Sequence, residues 1–192
     1  MGDLTKDRPK CLVMLGDGTT ILGRQLSILE KCGVDDIVIT TGQYDREIRE
    51  ACSEYPQLKI TFVENELYDS TNYIYSVYKA REYLDDDIIL LHGDLVFEEY
   101  AILRLIDSKK SCVVTNTFQS DPGKDFKAAV ENGRITKISV KLSDGAVPSQ
   151  PAYKLLESDM GIWVERIVKY SDEGKRSCYA EDALNDVLDS ID

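Results

Sequence analysis

Short β-branched runs alternate with helix-period apolar stripes along this chain, and that alternation constrains its fold more than any other feature. The runs are Asp36-Ile37-Val38-Ile39-Thr40-Thr41, Leu58-Lys59-Ile60-Thr61-Phe62-Val63 and Asp87-Ile88-Ile89-Leu90-Leu91, followed by a fourth at 111–117. Runs this short, rich in Val, Ile and Thr, suit strands rather than helices. Between them, Leu22, Leu26 and Leu29 share one stripe and predict a helix over 19–32, stopped by Gly33. A more polar helix is expected at 45–54, closed off by Pro56. The stripe Tyr73, Val77, Ala80 and Leu84 predicts a helix over 72–84, with Ser70, Thr71 and Asn72 as acceptable caps. A further helix is expected over 98–107.

Strand and helix in strict alternation predict a parallel sheet covered by helices. After about residue 120 the pattern changes. Asn132-Gly133 separates 126–131 from 134–141 and reads as a hairpin, because Asn-Gly accepts the positive φ of a tight turn. Residues 144–151 read as a loop, with Gly145, Pro148 and Pro151, and helices are expected over 158–170 and 179–188. The fold class that follows is α/β, Rossmann-like, with a mixed but mostly parallel sheet flanked by helices. Without repeats or linkers, the whole span 1–192 reads as one domain.

Charge narrows the function. The chain has 23 Lys and Arg against 35 Asp and Glu, a formal net charge of −12. That balance argues against nucleic acid, which needs clustered cations, and against an anionic membrane surface. No run approaches a spanning helix and the N-terminus has no apolar signal core. The five cysteines are widely spaced with no C-x-x-C pair, so neither a disulfide framework nor a zinc site is expected. Reduced thiols and a cytoplasmic location are the simplest expectation.

In open α/β sheets, ligands bind at the carboxyl ends of strands. Asp94 stands there, after DIILL and beside Gly93, where a carboxylate can hold Mg²⁺ together with substrate phosphates. A solvated turn Asp is the equal alternative. Gly42, after DIVITT, would let a ligand or backbone come close, though a plain turn glycine is the commoner case. Lys10 could neutralise phosphate charge, against the commoner surface lysine. Glu181 and Asp182 open the last helix, where carboxylates favour the helix dipole. Tyr153 and Lys154 could hold a substrate anion or end a strand. His92 is the single histidine, so a Ser-His-Asp triad and a His-metal site are nearly excluded.

Together these segments resemble a family. Arg8-Pro9-Lys10-Cys11-Leu12-Val13, the helix with Thr20-Ile21-Leu22 and Gln25-Leu26, and the stretch from Gly33 to Gly42 look like the nucleotidyltransferases that act on sugar phosphates. Asn72-Tyr73-Ile74-Tyr75-Ser76, Gly93-Asp94, Gln150-Pro151-Ala152-Tyr153-Lys154-Leu155 and Tyr179-Ala180-Glu181-Asp182-Ala183-Leu184-Asn185 resemble the CTP:phosphocholine and phosphonate cytidylyltransferase branch. The resemblance implies the nucleotide-diphospho-sugar transferase fold. It also implies transfer of CMP from CTP to a phosphocholine-, phosphoethanolamine- or aminoethylphosphonate-like acceptor, with Mg²⁺ and release of pyrophosphate. Under it, Asp94 is similar to the metal-binding aspartate and Lys10 to the lysine that meets the triphosphate. Gly42, Asn72 and Ser76 are similar to positions near the nucleotide. Tyr153, Lys154, Glu181 and Asp182 would border the acceptor pocket.

Two departures accompany the likeness. The family's first strand with its A-A-G-x-G-[ST]-R loop, and its closing segment with a second metal-binding Asp, are expected to be lacking here, so the chain reads as trimmed at both ends. Losing a central strand would expose sheet edges, which predicts a rearranged sheet or a homodimer that covers them. The alternative function is a catalytically inactive nucleotide-binding or assembly module on the same fold. A nucleotide-sugar glycosyltransferase ranks last, because His92-Gly93-Asp94 stands where that class carries Asp-x-Asp.

Overall fold

The computed structural model describes residues 5–116, 123, 125–143 and 145–191. The element order is α1 (Ile21–Lys31), β1 (Asp36–Thr41), α2 (Asp45–Cys52), β2 (Lys59–Glu64), α3 (Tyr73–Ala80), β3 (Ile88–Leu91) and α4 (Glu99–Asp107). It continues with β4 (Cys112–Thr115), β5 (Lys127–Glu131), β6 (Arg134–Ser139), β7 (Val147–Leu155), α5 (Glu157–Asp172) and α6 (Ala180–Asn185). The expected strand end at Thr117 and the loop start at Asp144 lie outside the described residues.

Local chemistry explains the boundaries. Thr20 caps α1 by accepting from the Gly23 N–H at 3.0 Å, and Gly33 leaves the helix at φ +78°. Asn72 caps α3, its Oδ1 accepting from Tyr73 N at 2.8 Å. The stripe through Leu84 continues beyond α3 only as a 3₁₀ turn, Arg81–Tyr83. In the hairpin, Asn132 (φ 52°) and Gly133 (φ 77°) both take the left-handed conformation that a two-residue turn requires.

The sheet corrects the expectation of mostly parallel pairing. Among the described residues, β1 and β2 form the one parallel pair, and every pairing of β3 to β7 is antiparallel. The reason is β7. Its first half was expected as a loop because of Pro148 and Pro151, yet Val147–Leu155 is a nine-residue strand at the centre of the larger sheet. It pairs with β5 and then β3 along one edge and with β4 along the other. β3 and β4, joined through α4, run parallel to each other as a strand-helix-strand unit should, but β7 lies between them. The described strands thus form two sheets, β1 and β2 in one and β3 to β7 in the other.

Three apolar clusters hold the layers. The largest surrounds Trp163, wholly buried, among α3, α5, α6 and the hairpin. A second lies under α1 and α2 with Leu26, Ile48 and Leu58, and a third joins α1 and α4 over β3 and β4. Ile37 of β1 packs against both of the latter, so α1 bridges the two sheets. All five cysteines are free, and among the described residues no helix is long and apolar enough to cross a membrane.

Candidate active site

The carboxyl end of β3 carries the site's charges. Leu91 ends the strand, and a turn closed by Leu95 N donating to His92 O at 3.2 Å presents Asp94. Lys10 opens a 3₁₀ turn, Lys10–Leu12, directly after Pro9. Its Nζ donates to Asp94 Oδ2 at 3.1 Å across 84 positions of sequence. The two side chains are 59% and 34% exposed, so the pair adds little stability and both groups face solvent. A cation and a carboxylate held together and open to water can meet a polyphosphate. Burial, with the Asp94 charge behind it, pushes the neighbouring Cys11 thiol up to about 11, which disfavours the thiolate near neutral pH.

The turn is braced from α1 and α3. Gln25 Nε2 donates to His92 O at 3.0 Å and to Leu95 O at 2.8 Å. Arg24 donates to Phe97 O at 3.4 Å and pairs with Glu98 at 2.9 Å. The Tyr73 ring meets the His92 ring edge-on at 4.5 Å. Burial lowers the His92 pKa, which keeps the imidazole neutral near pH 7, and its buried Nε2 has no hydrogen-bond partner among the described residues.

The residues expected near a nucleotide serve the local frame. Gly42 follows β1, and a Cβ there would sit 2.8 Å from Tyr68 Cβ, so Tyr68 rather than open space faces it. Asn72 is the cap of α3, and Ser76 accepts from Asn65 Nδ2 at 3.1 Å, with Asn65 itself buried. Asn65, Asn72 and Ser76 stand on the segment from β2 to α3, and α3 packs against β1.

The residues expected to border an acceptor pocket separate. Tyr153 and Glu181 are buried together, with Tyr153 O–H donating to Glu181 Oε1 at 2.7 Å and Tyr73 O–H donating to Oε2. Burial raises the Glu181 pKa, and the two phenol donors oppose that rise. Lys154 points to the other face of β7 and donates to the carbonyls of Ile106 at 3.2 Å and Ser108 at 2.8 Å, with Asp87 at 3.6 Å. It neutralises the carboxyl end of α4. Asp182 accepts from Tyr179 N at 3.2 Å as the helix cap and borders an open groove of about 560 Å³ with Lys137, Lys175 and Arg176. Sequence reasoning did not single out Gln25, Tyr73 or His92 for the site. The available signal for Gln25 was a polar residue on the Leu22, Leu26, Leu29 stripe.

Among the described residues no cluster of three or more His, Cys, Asp or Glu side chains could cage a metal. One solvent-facing carboxylate at Asp94 fits a Mg²⁺ that arrives with phosphates and takes most of its oxygens from them and from water.

The chain is 37% identical over 115 residues to CMP-5′-(3-aminopropyl)phosphonate synthase of Streptomyces rubellomurinus, a match covering 59% of this chain and 18% of that protein. It is 24% identical over 144 residues to CTP:phosphoglutamine cytidylyltransferase of Campylobacter jejuni, covering 71% of this chain and 56% of that one. The matches thus span under two thirds of those relatives. Its fold superposes on CTP:phosphocholine cytidylyltransferase from Streptococcus pneumoniae with a TM-score of 0.75 at 19% identity, covering 100% of this chain and 81% of that one. The inositol-1-phosphate CTP transferase from T. maritima gives 0.79 at 21% identity, covering 97% and 75%. Residues 1–177 match the MobA-like NTP transferase domain, and the chain belongs to that family.

Proposed function

We propose that this chain serves CTP-dependent transfer of CMP to a small phosphorylated or phosphonate acceptor, of the phosphocholine, phosphoethanolamine or aminoethylphosphonate kind. The observation that carries the proposal is the pair of Lys10 and Asp94 at the carboxyl end of β3, 3.1 Å apart and open to solvent. The two curated relatives act on a phosphonate and a phosphorylated compound by name, which supports the acceptor class. In the reaction an acceptor oxygen attacks the α-phosphorus of CTP, that P–O bond forms, and the bond to pyrophosphate breaks. Such transfer is positioning plus charge neutralisation. Lys10 would leave Asp94 and meet the triphosphate. Asp94 would hold Mg²⁺, which supplies further neutralisation when bound. Asp182, which caps α6 through Tyr179 N and borders the open groove, would be the acceptor-side carboxylate.

The second reading is a nucleotide-binding or assembly module without catalysis. It is favoured by the burial of Tyr153, Lys154 and Glu181. One experiment separates the two. The chain is incubated with CTP, Mg²⁺ and 2-aminoethylphosphonate or phosphocholine, with ATP as control, and phosphorus NMR follows pyrophosphate. CTP-selective pyrophosphate release that Lys10→Met and Asp94→Ala abolish supports transfer. Selective CTP binding without release supports the module. Sedimentation over a concentration series tests the expected homodimer, which a concentration-independent monomer would remove.

A further inference from the structure

Gln25 is a buried polar side chain, 6% exposed, on the apolar face of α1. Its amide nitrogen has two N–H bonds, and each is spent on a backbone carbonyl of the Asp94 turn: His92 O at 3.0 Å and Leu95 O at 2.8 Å. Those carbonyls stand on either side of Gly93-Asp94. The sheet leaves the first of them open for this purpose. His92 N donates to Pro151 O at 3.1 Å, which makes His92 and Pro151 a hydrogen-bonded antiparallel pair. The return bond to His92 O would come from the N–H of residue 151, and proline has none. Within the turn Leu95 N donates to His92 O at 3.2 Å, and Gln25 supplies its second donor in place of the missing sheet bond and reaches on to Leu95 O. Arg24, its neighbour, holds Phe97 O at 3.4 Å, so α1 fastens the whole segment after β3.

We infer that Gln25 is the positioning residue for Asp94: with Pro151 it fixes where the carboxylate stands for a phosphate-borne divalent ion. The inference rests on the reading of Asp94 above and adds a residue outside the charged site. A side-chain amide spanning two carbonyls cannot be replaced by packing. Met matches the length of Gln but donates nothing, and Glu adds a negative charge facing two carbonyl oxygens.

The test compares wild type, Gln25→Met, Gln25→Glu and Asp94→Ala. Free Mn²⁺ is counted by electron paramagnetic resonance with CTP present, metal-free CTP binding is measured by calorimetry, and amide exchange is followed at residues 93–95. The expected result is that both Gln25 variants weaken Mn²⁺ uptake with CTP about tenfold while metal-free CTP binding stays within about twofold. Amides 93–95 exchange faster in them, and Asp94→Ala shows the same split in binding. Equal losses with and without metal would mean a general structural role and overturn the inference. Unchanged Mn²⁺ uptake in the Gln25 variants, with uptake lost in Asp94→Ala, overturns it while the Asp94 reading stands. Unchanged uptake in Asp94→Ala, or none in wild type, removes the Asp94 reading and this inference with it. If the Met variant does not fold, the Glu variant decides by the same criteria.

Discussion

Glu181 is a carboxyl group only 1% exposed, held by the phenols of Tyr73 and Tyr153. Burial raises its pKa above the 4.5 of a free Glu. The folded protein therefore keeps this proton at pH values where the unfolded chain has released it. That contribution to stability is complete below about pH 4.5 and is lost as pH rises through the higher folded value. Glu181→Gln should flatten this decline, since an amide can still accept from one tyrosine and donate to the other. Denaturant midpoints measured across pH would show it, and parallel profiles for the two proteins would refute it. Glu181→Leu strands two hydroxyls and should cost about 2–4 kcal/mol. At Gly42 the constraint is steric. Gly42→Ala meets Tyr68 at 2.8 Å and should cost about 1–3 kcal/mol, and adding Tyr68→Gly should recover most of it. A midpoint for Gly42→Ala equal to wild type would mean Tyr68 simply moves aside.

Among the elements, β7 and β1 differ in how they are held. β7 is paired on both edges and buried over its second half from Ala152, whereas among the described residues β1 is paired along one edge only. Amide exchange should be slowest in the second half of β7, at Ala152 to Leu155, and faster at Ile37 to Ile39. Equal protection in the two strands would mean they open only in global unfolding. The helices and the first three strands were legible in sequence because each shows a clean period or a β-branched run with a stop signal nearby. The first half of β7 was not, because proline normally demotes a strand. Here Pro151 falls where the partner along that edge changes from β5 to β3, and Gln25 compensates at His92 O. That compensation comes from a residue more than a hundred positions earlier, which no local pattern reveals.

For the whole molecule, a formal charge of −12 means self-repulsion that compaction works against. Raising salt from low ionic strength to about 0.5 M should raise the melting midpoint by screening that repulsion. A fall would show that ion pairs such as Lys79 with Glu66 and Arg49 with Asp45 outweigh the net field. Both sheets depend on α1 as their common cover, through Ile37 and the clusters on either side of it.

The sequence by itself determined the alternation of strand and helix, the Asn-Gly hairpin, the acidic surface and the position of Asp94 at a strand end. Each depends on neighbours within a few residues or on composition alone. Tertiary structure decided which strands touch, because β7 inserts between two strands that sequence order would have paired. It also decided which polar residues face water. Tyr153, Lys154, Glu181 and Asp182 look alike as polar side chains in sequence. Packing against α3 encloses Tyr153 and Glu181, the end of α4 takes up Lys154, and Asp182 stays at the open groove. The distinction is one of desolvation: a polar group can be buried only where partners from distant segments satisfy it, and those partners exist only once the chain has folded.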